Sequence, residues 1–132
     1  MTLKFYQNLG KLFYAIAAAD NKVHETEINK LKEFVKNEWL NVDAIEDEFG
    51  MDAAYQIEIV FDWLLEIQDE NLSIKACYDD FVSYKKDQKH LFTDNVNHLI
   101  LKTANAIAES FSGKNKSELM LLAKLNMELN KI

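Results

Sequence analysis

Proline and arginine are both absent from the chain, glycine occurs three times and cysteine once. With so few turn-formers, 132 residues cannot supply the many tight turns of a β-sandwich or barrel, which leaves an all-α fold. The lack of arginine removes the side chain that reads phosphate and guanine through paired hydrogen bonds. Under a formal charge of −7 and a pI near 4.9, that lack argues against a nucleic-acid partner. The same field repels anionic lipid headgroups. The lone Cys77 rules out a disulfide framework and a thiolate metal cluster, and it points to a reducing compartment. No run approaches the ~20 apolar residues of a membrane span, and Met1–Lys11 has no signal-peptide apolar core. The expected location is therefore cytoplasmic, without membrane insertion.

Hydrophobic residues make up 48% of the chain and charged residues 28%, the balance of a folded globule rather than a disordered tail. No linker or low-complexity tract divides it, so residues 1–132 read as one domain of six to seven helices. Leu3, Phe5, Tyr6, Leu9, Leu12, Phe13, Ile16 and Ala17 follow the helical period, and the pattern runs to Ala19 before Asp20-Asn21 breaks it. The small residues Ala17-Ala18-Ala19 let a neighbouring helix come close. A second helix opens at His24, with Glu27 three residues on in the spacing of a capping box, and Trp39 closes it against the core.

Asn41–Gly50 is acidic, and Asp43 is placed to cap a short helix over 44–49. Met51–Gln68 is apolar on well over one face and is expected to be the central helix. Ser73 is placed to cap the next helix, and Lys85–His90 reads as a polar helix end or loop. Thr93 or Asp94 starts a long helix that runs to Phe111. After a turn at Ser112-Gly113-Lys114, Asn115 and Glu118 repeat the capping spacing and open the last helix.

One internal echo stands out. Glu27, Leu31 and Phe34 match Glu118, Leu122 and Leu125 in spacing, and each set follows a helix and a short polar turn. Two pseudo-related helix-turn-helix hairpins, with the middle helices between them, are the expected architecture.

The stretch Ala15–Leu31, A-I-A-A-A-D-N-K-V-H-E-T-E-I-N-K-L, resembles the signature of the TerB-like family, which is linked to tellurite resistance. Ala17, Ala18, Ala19, Asp20, Val23, Glu27 and Leu31 match that pattern, whereas Asn21 replaces its Gly and His24 its Ser or Thr. The second hairpin keeps Gly113 and Glu118 but has Ser112 where Asp is expected. The resemblance implies an all-helical interaction module of a stress-response complex, with metal binding through acidic side chains.

Two carboxylate groups are candidate sites. Asp20 and Glu27 flank the first turn and would suit a hard divalent cation, Ca²⁺ or Mg²⁺, which takes oxygen ligands. The same two residues also serve as turn acceptor and capping residue, and that architectural reading is the stronger because Lys22 and His24 occupy the places of further oxygens. Asp62 and Glu66 lie four apart on one helix face, with Glu58 extending the row, and they form a candidate patch for a basic protein partner. The pairs Asp87–His90 and Asp94–His98 have the spacing of surface partners.

Enzyme signatures are missing: there is no glycine-rich phosphate loop, no G-x-S-x-G and no H-E-x-x-H. Cys77, set among Ile74, Tyr78 and Phe81, reads as a buried small hydrophobe rather than a nucleophile. The expectation is a non-enzymatic domain that binds a protein partner through an acidic surface or a groove between hairpins. The alternative is a divalent-metal-binding domain.

Overall fold

Thr2 holds the first helix at its start: its backbone is extended, and its hydroxyl accepts the Phe5 N–H at 3.2 Å. In this computed structural model the described residues are 2–19, 22–42, 51–67, 74–110 and 116–131. Six α-helices follow in order: α1 (Leu3–Ala17), α2 (Glu25–Asn37), α3 (Gln56–Ile67), α4 (Ile74–Asp87), α5 (Asp94–Glu109) and α6 (Lys116–Leu129). Short 3₁₀ turns at Trp39–Asn41, Ala53–Tyr55 and Lys89–Leu91 join some of them. The described residues contain no β-strand, and the fold is all-α. None of their helices is long and apolar enough to cross a membrane. The turn at Asp20-Asn21, the short helix over 44–49, the cap at Ser73 and the turn over 112–115 lie outside the described residues.

Helix α1, not α3, is the centre of the structure. Phe5, Tyr6, Leu9, Leu12, Phe13 and Ile16 are fully buried, and Gly10, Ala15 and Ala17 complete a broad buried face, leaving Lys4, Gln7, Asn8 and Lys11 toward solvent. It lies along α3 and α4 and also touches α5 and α6. Helix α2 rests instead on α5 and α3 and barely meets α1. The first hairpin thus lends α2 to α5, while α6 stays mainly against α5 of its own hairpin and also reaches α1. Helix α3 is the more apolar segment, yet it presents only Ile57, Phe61 and Leu64 as buried residues.

Gly10 sets the spacing between α1 and α3. A methyl group there would fall 2.8 Å from the Ile57 carbonyl oxygen and 2.9 Å from the Val60 Cβ. Both distances are closer than carbon atoms tolerate, and the first obstacle is backbone.

Local signals account for several helix boundaries. The Asp52 carboxylate accepts the Ala54 N–H at 2.9 Å, so a 3₁₀ turn precedes α3 and the helix proper starts five residues later than Met51. The Thr93 hydroxyl accepts the Val96 N–H at 3.3 Å and caps α5. Trp39 closes onto the core as expected: its ring lies 6.2 Å from Phe13, and its indole N–H donates to the Thr103 hydroxyl at 3.1 Å. Thr103 in turn donates to the Leu99 carbonyl at 2.8 Å, so both buried polar groups are satisfied.

Replacing Gly10 by alanine pits a helix-propensity gain of about 1 kcal/mol against overpacking of roughly 1–3 kcal/mol. The rigid Ile57 carbonyl decides the sign. Gly10→Ala is expected to lower the urea midpoint of unfolding without changing the slope, and a raised midpoint would contradict the close approach.

Candidate partner-binding surface on α3

Helix α3 is seated by Ile57, Phe61 and Leu64, so the positions between them turn outward. Ile59 and Trp63, four residues apart, are 48% and 53% exposed. Beside them runs the carboxylate row Glu58, Asp62 and Glu66, also at four-residue intervals and therefore on one helix face. The result is an apolar strip with an acidic border.

Among the described residues, the acidic border has one cationic neighbour within ion-pair distance. Lys32 of α2 approaches Asp62 at 3.9 Å, both side chains being about half exposed at 49%. Burial pushes the Glu58 carboxyl above its ordinary value, Lys32 pulls it down, and Asp62 pushes it up again. The sequence-designated pair Asp62 and Glu66 thus sits on an accessible face. Ile59 and Trp63, two of the apolar residues that make Met51–Gln68 hydrophobic on well over one face, join it. Their outward position was readable from one fact: a helix that is apolar all round cannot bury every side in a single small domain.

The other candidate pair has a different setting. Asp20 lies outside the described residues. Glu27 occupies the third position of α2 and is only 2% exposed, and its carboxylate accepts the His24 backbone N–H at 2.8 Å. That is the reciprocal half of a capping box, at the positive end of the helix. Glu118 holds the same third position in α6 and is also buried. The sequence echo between the hairpins therefore corresponds to two buried first-turn glutamates. Among the described residues, no group of three or more His, Cys, Asp or Glu side chains is placed to hold a metal ion. His90 and His98 are exposed.

Cys77 is buried beside Ala15 and Leu64. Burial pushes its thiol up; Lys11 opposes the shift and Asp80 adds to it. A thiol so placed behaves as a small hydrophobe.

Compared with protein-family models, curated proteins and solved structures, the chain matches none of them.

Because the folded pKa of Glu58 lies above its unfolded value, its contribution to stability is most favourable below the unfolded pKa and is lost as pH rises through the folded pKa. Glu58→Gln, which stays neutral throughout, is expected to stabilise the fold relative to wild type at roughly pH 7.5 but not at roughly pH 3.5. Urea midpoints of both proteins at the two pH values measure this. A difference independent of pH would remove the buried-carboxyl explanation.

Proposed function

We propose that the chain is a non-enzymatic protein-interaction module whose docking element is the outer face of α3. The observation that carries this reading is the half-exposed Trp63, with Ile59 one turn away and the Glu58–Asp62–Glu66 row alongside. An exposed tryptophan on a rigid helix is the residue type most often found to dominate the energy of an interface. A bordering row of like charge steers a partner of opposite sign and fixes its register. The partner that fits is a basic amphipathic segment of another protein, with apolar anchors over Trp63 and Ile59 and lysine or arginine against the carboxylates.

The net charge of −7 supports a basic protein over a polyanion such as nucleic acid. The resemblance of Ala15–Leu31 to the TerB-like signature supports a stress-response context of the tellurite-resistance kind. A cytoplasmic setting accords with a single buried thiol. For Glu27 the hydrogen bond to the His24 amide favours the capping role over that of a metal ligand.

A pull-down with the purified chain, repeated with Trp63→Ala and with the double variant Asp62→Lys/Glu66→Lys, tests the face. A partner held there should lose about 30-fold in affinity with the first variant, the size of a ~2 kcal/mol hot spot. Its retention should also weaken with salt and with the charge reversal. Retention unaffected by all three changes would take the docking site off α3.

A further inference from the structure

Although the chain is acidic, four of its lysines converge on one cavity. It measures ≈ 450 Å³ and lies where the end of α4, the 3₁₀ turn Lys89–Leu91, the start of α5 and the end of α6 meet. That size falls within the range of small-molecule pockets. Lys85, Lys86, Lys89 and Lys131 line it together with Phe92, Leu129, Asn97 and a single carboxylate, Glu128.

Lys85 is the unusual member, being only 6% exposed. Its closest anionic neighbour, Glu128 Oε1, is 3.9 Å away, beyond hydrogen-bond reach, while Glu128 Oε2 is held by Lys131 at 2.9 Å. The Lys85 ammonium has three N–H donors and no hydrogen-bond acceptor among the described residues. An ammonium with its stem buried and its carboxylate partner only at 3.9 Å is strengthened by an anion brought within hydrogen-bond reach.

Asn97 supplies a second unmatched group. Its amide nitrogen donates to the Phe92 carbonyl at 3.3 Å and the Leu129 carbonyl at 3.2 Å. Only the N–H₂ end can face two carbonyls, so the orientation of the amide is fixed and the buried Oδ1 is left with no donor. Phe92 is itself braced by Phe5, Phe81 and Tyr84, at ring separations of 5.5, 5.8 and 6.3 Å, so the apolar floor is preformed.

We infer that this cavity binds a small organic anion. A carboxylate or phosphate group meets the Lys85 ammonium under the rim lysines Lys86 and Lys89. The apolar body covers Phe92 and Leu129. Lysine suits this task as a point-charge binder of oxyanions.

Calorimetric titration of the full chain with mandelate, phenylacetate, phenyl phosphate, inorganic phosphate and benzyl alcohol tests the inference. A saturable site with a Kd of about 1 mM or tighter is expected for mandelate or phenyl phosphate. Tighter binding of mandelate than of phenylacetate identifies a carboxylate with an adjacent hydroxyl, and tighter binding of phenyl phosphate than of mandelate identifies a phosphate ester. Lys85→Met should weaken binding by at least tenfold. The exposed-residue variant Lys86→Glu/Lys89→Glu should also weaken it, and it decides the matter if Lys85→Met does not fold. The inference is overturned if none of the three aromatic anions binds, or if neither variant weakens binding. Benzyl alcohol binding as well as mandelate would reveal a merely apolar hole. Inorganic phosphate binding as well as phenyl phosphate would reveal only surface attraction, and either result also overturns it.

Discussion

The missing side chain at Gly10 is the constraint on which the arrangement turns. It lets α1 come within van der Waals reach of the α3 backbone at Ile57, a separation that no residue with a Cβ would permit. A helix approached that closely on one side, and flanked by α4, α5 and α6 on others, keeps the arc of Lys4, Gln7, Asn8 and Lys11 toward solvent, which is why its buried face is so broad. Such a helix draws its stability from packing rather than from its own propensity. The consequence reaches the surface. Once Ile57 and Phe61 are committed to α1, the rotation of α3 about its axis is set, and Ile59 and Trp63 must face away.

Much of the local structure was legible because its causes are local. The periodicity of Leu3–Ala17, the start of α2 at His24, the inward Trp39 and the buried Cys77 all follow from residue type and spacing alone. The error about the centre has a physical source. Total apolarity singles out Met51–Gln68, but what makes a helix central is how closely its neighbours can approach. That depends on a small residue such as Gly10 in the right register. Thr2 and Asp52 act as caps through hydroxyl and carboxylate acceptors that the sequence displays, yet neither is flanked by the full capping box that draws attention to His24.

The basic cavity was out of reach for a different reason. Lys85–His90 reads in sequence as a solvated helix end, and nothing in its spacing distinguishes one lysine there from another. Lys131, Glu128 and Asn97 come from segments distant along the chain, and only their meeting with the end of α4 gathers four lysines around one cavity with Glu128 as its single carboxylate. Sites assembled from three separate elements leave no spacing signature. Rows on one helix, such as Glu58–Asp62–Glu66, do.

Depth sorts the carboxylates into two kinds. Glu27 is buried and bonded to the backbone at the start of its helix, so removing its charge would leave an amide unsatisfied and the helix end unsupported. Asp62 is half exposed and meets Lys32 only at 3.9 Å, a pairing that in water contributes between nothing and about 1 kcal/mol. The fold therefore does not depend on the acidic row of α3. A like-charged row on one helix face is mildly unfavourable for the isolated helix, and its repulsion is relieved only when cations lie against it. Lys32 relieves part of this from within the chain. The remainder is relieved by any cation brought against the row, so the proposed basic partner would gain electrostatically right beside Trp63.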